Sequence, residues 1–345
     1  MKSAFRHQIW NKAVAGLFLF LILLLFIPTP YYLFQPGSVE ELRTKVDVED
    51  GVKSAEGNLY LTTVLSIRAS NIYYLAYGLF APNTEVRKVE EVRGDLSDAE
   101  YDVLLKHMMS SSQFHALAAG FKAAGEKVEV APKGVFVRSV LDSSDAKGKL
   151  KVGDVIHKVD GHPVRKASDF LEYLSGKKAG ETVELQFSRE EAEKTEDVRL
   201  IELKNGANKA GVGIVPEDQF EIDTSRKVKI DAADIGGPSA GLMFSLEIYD
   251  QLTEGNLTKG YEVAGTGTID QDGHVGQIGG IKEKIAAVHK AGVDIFFCPA
   301  DIHPGDTNEK DVKAEASKHG YYVKIVPVAT MKEAIEYLDR LPLKK

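Results

Sequence analysis

No charged side chain occurs between Lys12 and Glu40, and the middle of that stretch, residues 13–27, reads AVAGLFLFLILLLFI. An α-helix rises about 1.5 Å per residue, so a hydrocarbon layer of about 30 Å needs about 20 apolar residues. The run itself is shorter, but Ile9 and Trp10 extend it on one side and Tyr31, Tyr32 and Phe34 on the other. Trp and Tyr also suit the two membrane interfaces. Lys2, Arg6 and Lys12 precede the run with no acid among them. Basic residues stay on the cytoplasmic side, so the expectation is one transmembrane helix within residues 9–34, a cytoplasmic N-terminus and an extracytoplasmic body. A cleaved leader is the competing reading, but no A-x-A site follows the run; PTPYYLFQPG does, which favours a retained anchor in the cell membrane. Gln35-Pro36-Gly37-Ser38 then reads as the linker off the membrane.

The chain has 345 residues, 43% of them apolar and 27% charged, which is enough for two cores and excludes wholesale disorder. Its net charge is −8, and setting aside the three N-terminal cations leaves −11 on the remainder. An acidic body argues against nucleic acid as a partner, because phosphate binding needs clustered Lys and Arg. The single cysteine, Cys298, rules out an intramolecular disulfide and a multi-Cys metal site. It follows the apolar IFF and reads as a buried small residue. His303 and Asp306 do not make a metal site, so no metal is expected. The sequence contains no G-x-x-x-x-G-K-[ST], hence no phosphate-cradling loop, and no cofactor is expected.

Asn58–Ile67, NLYLTTVLSI, is rich in β-branched and aromatic residues and reads as a strand. Ser97 and Glu100 form a capping box. Val103, Leu104, His107, Met108, Phe114, Leu117 and Phe121 then recur at helical spacing, predicting an amphipathic helix to about Ala124. Residues 126–205 change texture to short strands and Gly-containing turns, with Ser168 capping a helix from Asp169 to Leu174. From residue 226 strands and helices alternate, which points to α/β or α+β.

The middle region resembles a PDZ domain, through Lys151-Val152-Gly153-Asp154-Val155-Ile156 and Val159-Asp160-Gly161-His162-Pro163-Val164. The resemblance implies binding of peptide C-termini by strand addition at a sheet edge. The carboxylate loop would be Lys133-Gly134-Val135-Phe136, where Gly134 permits close backbone approach. The alternative is that Gly134 merely turns into a strand and Phe136 is core.

Asp234-Ile235-Gly236-Gly237-Pro238-Ser239-Ala240-Gly241-Leu242 describes a tight turn into a helix N-terminus. Ser239 there sits near unpaired N–H groups, and those around Gly237, Ser239 and Ala240 suit a developing oxyanion. The plainer reading is an ordinary serine cap. In Gly279-Gly280-Ile281-Lys282-Glu283-Lys284, Lys282 follows two glycines and has apolar neighbours. A desolvated lysine loses its proton readily and can serve a serine as general base. An ordinary surface lysine is the alternative.

Taken together the two segments resemble the Lon family of Ser–Lys peptidases, supported by Ala264-Gly265-Thr266-Gly267-Thr268-Ile269 and Ala286-Ala287 before Lys290-Ala291-Gly292. The resemblance implies Ser239 as nucleophile, Lys282 as base and Thr266 as the residue that supports the lysine. One departure stands out: Gly236 occupies the position where Lon enzymes with an ATPase module usually carry Asp, and Asp234 is displaced, so no acid is assigned. Residues 58–67 and 97–124 resemble, more weakly, the first half of the same domain. The expected fold is therefore α+β: a Lon-type proteolytic domain with an inserted PDZ domain and an N-terminal transmembrane helix. Its parts are residues 1–37 as anchor and linker, 38–125 and 206–345 as the proteolytic domain, and 126–205 as the PDZ domain. The resemblance further implies an ATP-independent serine endopeptidase, protein or peptide substrates presented through the PDZ groove, and a homo-oligomeric ring. His274 and His289 tempt a Ser-His-Asp reading that no G-x-S-x-G context supports. The rival is a non-catalytic, membrane-anchored PDZ adaptor on a Lon-type scaffold.

Overall fold

The structure, a computed structural model, describes residues 2–54, 56–203, 209–232, 235–253 and 256–344, with side chains from residue 10 onward. The side chains of Lys2, Arg6 and Ile9, and the whole of Asp234, lie outside the described residues.

Helix α1 (Lys2–Leu24) leads into β1 (Tyr31–Glu41), β2 (Val46–Val48) and β3 (Asn58–Arg68). Then come α2 (Ile72–Phe80), β4 (Glu85–Lys88), α3 (Val89–Arg93) and the long α4 (Asp98–Ala123). A second group follows: β5 (Val128–Val140), β6 (Val155–Val159), β7 (His162–Pro163), α5 (Ala167–Ser175), β8 (Thr182–Arg189), β9 (Ala192–Arg199), β10 (Ile201–Glu202), β11 (Ala210–Gly211) and β12 (Ile214–Thr224). The last third holds β13 (Val228–Ile230), α6 (Gly241–Leu252), β14 (Glu262–Gly265), β15 (Thr268–Ile269), β16 (Val275–Gly276), α7 (Ile281–Ala291), β17 (Ile295–Pro299), α8 (Asn308–His319), β18 (Lys324–Val328) and α9 (Met331–Asp339).

One sheet, in the order β18-β17-β14-β3-β1-β4, draws strands from both ends of the chain. β3 pairs with β14 in parallel, Asn58 opposite Glu262 and Leu61 opposite Gly265, and β1 and β4 complete the sheet antiparallel. A second sheet, β12-β5-β6-β8-β9 with β7 beside β6, is built only from residues between α4 and β13. The buried strand β17 shows why the first sheet is covered on both faces. Successive side chains point to opposite faces, so Phe297 enters a core with Phe244, Leu242 and Ile248 of α6 and Phe121 of α4. Phe296 and Cys298 enter another with Ile285 and Val288 of α7 and Val312 of α8. In the second sheet Phe170 and Leu174 of α5 close over Val135, Val137, Ile156 and Leu185.

Ser97 caps α4 as the sequence predicts: its Oγ accepts from the Glu100 N–H at 3.3 Å while Glu100 Oε2 accepts from the Ser97 N–H at 2.8 Å. At α5 the prediction shifts, because Lys166 is the cap and the helix begins at Ala167. The segment read as a linker, Gln35–Ser38, lies inside β1, which continues through a bulge between Pro36 and Val39. The same strand takes up part of the apolar run. Helix α1 stops at Leu24, and Tyr31, Tyr32 and Phe34, counted above as an extension of a membrane span, belong to the sheet, Tyr32 being buried there. Among the described residues no helix is long and apolar enough to cross a membrane.

Candidate active site

The turn that carries Ser239 is held from three sides. Gly237 adopts φ +88°, a left-handed conformation that favours glycine, and its N–H donates to Leu105 O of α4 at 3.1 Å. Ser112 Oγ, one turn of α4 further on from Met108, donates to Pro238 O at 3.0 Å. From the sheet side, Gly267 N–H and Thr266 Oγ1 both donate to Ser239 O, each at 2.9 Å. Helix α6 starts two residues later, at Gly241. Ser239 therefore precedes the cap residue Ala240 and is half-buried at the mouth of the helix.

The opposing group comes from α7. Gly280, at φ +74°, lets the chain pass so close to β3 that a Cβ on it would lie 2.7 Å from Val64 Cγ2. One turn into the helix, Lys284 enters the site with only 2% of its surface exposed. Its Nζ lies 2.8 Å from Ser239 Oγ, 2.8 Å from Thr266 Oγ1 and 3.1 Å from Thr62 O. Burial disfavours the charged form and brings the Lys284 pKa down to about 7. Thr266, fully buried, accepts from the amine while its own proton goes to Ser239 O, so it fixes both partners.

This geometry corrects the base predicted from sequence. Lys282 is exposed and makes no contact with Ser239, because two residues along a helix turn the side chain by about 200°. The signal that distinguishes the two lysines is in the sequence. Ile281, Lys284, Ile285 and Val288 follow the i, i+3, i+4, i+7 spacing of one helix face, all buried, and Lys282 falls off it. The oxyanion set also changes, since the Gly237 N–H is committed to Leu105 O. Leu105, Ser112 and the Thr62 carbonyl, which sequence reasoning did not single out, all touch the turn or the amine.

A cleft of about 740 Å³ runs past the pair, lined by Thr62, Thr63, Val64 and Leu65 of β3, Gly37 and Ser38 of the β1 bulge, Met109, Gly236, Ser239, Ala240 and Lys284. β14 pairs with β3 only as far as Leu61, so among the described residues Thr63–Leu65 have no ladder partner on the side facing the cleft. The histidines lie elsewhere: exposed His274 bonds Asp270 Oδ2 at 2.8 Å, and His289 stacks on Tyr321 with ring centroids 4.6 Å apart. Burial pushes the Cys298 thiol up to about 12, which makes it a poor nucleophile. Among the described residues no group of three His, Cys, Asp or Glu side chains could hold a metal ion.

The predicted carboxylate loop is a second correction. Lys133–Phe136 lie in the middle of β5; Gly134–Phe136 are paired on one side with Gln219–Glu217 of β12, Lys133 falls at the register shift, and Val135 and Phe136 pair with β6 on the other side. Phe136 is core, as the alternative reading had it: it packs on Leu104 and Val152 and stacks on His107 of α4, ring centroids 3.5 Å apart. The loop reading fails because the partner strand lies some eighty residues further along the chain, beyond the reach of local patterning.

Comparison with known proteins divides the chain in a related way. Residues 212–339 match the Lon protease (S16) C-terminal proteolytic domain, and residues 116–200 match the PDZ domain. The PDZ domain of the SdrC-like protein from Listeria monocytogenes is 30% identical, covering 24% of this chain and 87% of that one, with a TM-score of 0.23. Lon protease of Chloroflexus aggregans is 31% identical over 134 residues, 39% of this chain and 15% of that protein. Lon protease 1 of Bacillus subtilis is 34% identical over 102 residues, 30% of this chain and 12% of that protein. The stretch shared with these two relatives is thus a small part of their own length; the residues that match the Lon proteolytic domain, 212–339, include Ser239, Thr266 and Lys284.

Proposed function

We propose that this chain is an ATP-independent serine endopeptidase in which Ser239 is the nucleophile and Lys284 the general base. The observation that carries the reading is the 2.8 Å approach of a fully enclosed lysine amine to a serine hydroxyl at a helix mouth. With the amine neutral, Lys284 Nζ accepts the Ser239 proton as Oγ attacks the peptide carbonyl carbon. The carbonyl oxygen becomes an oxyanion, stabilised by the Ser239 and Ala240 N–H groups and the positive end of α6. Lys284 then gives its proton to the leaving amine, and water repeats the sequence on the acyl-enzyme. Thr266 keeps the amine in line. The substrate backbone lies along Thr63–Leu65, where β3 has a free edge. The test uses the full chain in detergent with an unfolded protein as substrate. Ser239→Ala and Lys284→Ala abolish cleavage and Lys282→Ala retains it; cleavage by the first two variants overturns the reading, and inactivity of wild type at alkaline pH favours the adaptor.

We also propose that the chain is held at a membrane by its N-terminus, with the body outside the cytoplasm. Two apolar surfaces that meet support this. Phe18, Phe20 and Phe26 in and just after α1 are exposed. Helix α2, without a single charge, exposes Tyr74, Tyr77, Leu79 and Phe80, the last by 89%, and its Tyr73 hydroxyl donates to Leu21 O of α1 at 2.6 Å. Tyrosines at the end of an apolar helix suit the membrane interface. Carbonate-resistant sedimentation with membranes, and digestion of the body by protease added to intact spheroplasts, test the reading; release by carbonate, or a body protected from the protease, rejects it. The ring implied by the family resemblance is tested by sedimentation of the solubilised chain.

A further inference from the structure

The edge of β5 that would accept an added peptide strand is already filled. β12 runs antiparallel to β5 from Ile214 opposite Val140 to Thr224 opposite Val128. It is bracketed on its other side by the start of α5, where the Ala167 N–H donates to Asp218 Oδ1 at 2.6 Å. An extended segment paired with a sheet edge in this way is the binding mode of a PDZ ligand, here supplied by the chain itself.

The strand is acidic, with Glu217, Asp218, Glu221 and Asp223 in eleven residues. Three basic groups face it, with Glu129 as an acid opposite Asp223: His107 Nε2 lies 3.0 Å and Arg138 3.7 Å from the Glu217 carboxylate, and Lys133 lies 4.0 Å from Glu221. The hydrogen bond from His107 is the main reason the Glu217 carboxyl is held below its usual range. Pro216, which donates no ladder bond, sits at one register shift, and a second shift falls between Gln219 and Phe220. The strand is thus held through charge and side-chain contacts and is interrupted along its ladder.

Those side-chain contacts lead to the candidate active site. Glu217 bonds His107, and Phe220 stacks on Phe114 with centroids 5.3 Å apart; both partners are on α4. The same helix holds the nucleophile turn through Leu105 O to Gly237 N–H and Ser112 Oγ to Pro238 O. We infer that β12 is a displaceable resident ligand of the groove between β5 and α5, and that an acidic extended peptide which replaces it frees α4 and loosens the Ser239 turn, so that peptidase activity falls. The effect on activity rests on the peptidase reading; the binding does not.

The probe is a fluorescently labelled synthetic peptide with the sequence of residues 214–224 carrying Glu217→Ala and Phe220→Ala, which keeps three acids but cannot remake the contacts to His107 and Phe114, added to the full chain. A locked form carries Ser139→Cys and Val215→Cys, which are directly opposed in the ladder, with Cys298→Ala to prevent mispairing. The peptide is expected to bind wild type and not the oxidised locked form, to raise amide exchange over residues 105–112, and to lower cleavage of an unfolded protein several-fold in wild type alone. Equal binding to the locked form, or no binding to wild type, overturns the groove assignment. Binding with unchanged exchange in α4 overturns the coupling. Binding and faster exchange in a chain that cleaves nothing keeps this inference and sinks the peptidase reading instead. Should the cysteine pair not fold, Glu217→Gln weakens the resident strand, and the peptide should bind roughly fivefold more tightly, the worth of one partly buried ion pair; unchanged or weaker affinity overturns the proposal.

Discussion

Lys284 has to be enclosed to act as a base, and enclosure sets the pH at which it works. Its pKa is lowered to about 7 by burial, so the amine gains its lone pair as pH rises through neutrality. Cleavage should therefore climb about tenfold per pH unit below pH 7 and level off above it, with the profile read as kcat/KM on a small peptide substrate. Lys284→Arg, always protonated, should leave no measurable activity at any pH. The same shift appears in stability. The folded pKa lies below the unfolded value near 10.5, so the unfolded chain binds the extra proton between about pH 7 and 10, and folding gains stability as pH rises across that window. In Lys284→Met this slope should vanish, which denaturant titrations of both proteins at pH 7 and pH 9 would reveal. Ser239 and Thr266 stand out in the sequence because glycine, proline and β-branched neighbours mark the turn and strand that hold them. Choosing between Lys282 and Lys284 needs the helical phase, and a reading that starts from the two preceding glycines lands on the exposed one.

At the level of elements, α6 carries two carboxyls where a buried helix least accommodates them. Glu247, 4% exposed, is pushed up to about 7 and Asp250 to about 6, in both cases by burial. Gln251 links Glu247 to the neighbouring β2: its Nε2 donates to Glu247 Oε1 at 2.7 Å and to Val46 O at 2.9 Å, and its Oε1 accepts from the Val48 N–H at 3.0 Å. The Glu247 pKa is raised on folding, so the stability tied to its proton is complete below the unfolded value and is lost as pH rises through about 7. Glu247→Gln keeps an acceptor for Gln251 and never ionises. The variant should match wild type at pH 4 and exceed it by about 3 kcal/mol at pH 8 in urea unfolding; equal stability at both would show that Glu247 stays charged and solvated. Elements differ in how far sequence reveals them. The capping box and the apolar spacing announce α4 from Ser97 onward, because both are local. β5 is misread at Lys133–Phe136 because what makes it a strand is β12, a partner that local periodicity does not record.

On the scale of the whole molecule, the second sheet enters and leaves through one pair of strands. Val128 and Thr224 face each other across the β5–β12 ladder, and so do Ala131 and Glu221, so the chain leaves the first sheet and returns to it at neighbouring points. The first sheet meanwhile takes β3 and β1 from before this excursion and β14, β17 and β18 from after it, and neither half could close its core alone. These two facts predict that residues 132–220 can be excised, with Ala131 joined to Glu221 through a two-residue Asn-Gly turn of the kind that closes hairpins. What is lost is the joint with α4: the stack of His107 on Phe136, the packing of Leu104 against Phe136 and Val152, and the stack of Phe114 on Phe220. The shortened chain should still unfold in a single cooperative transition, because the core around Phe121, Phe244 and Phe297 is untouched. Its melting temperature should fall by several degrees, as expected for about 2 kcal/mol of apolar contacts removed from α4. Because α4 holds the Ser239 turn, cleavage should weaken along with this loss of packing. Calorimetry on the excised and full-length chains decides the matter: loss of the cooperative transition would mean that the second sheet is part of one folding unit with the first.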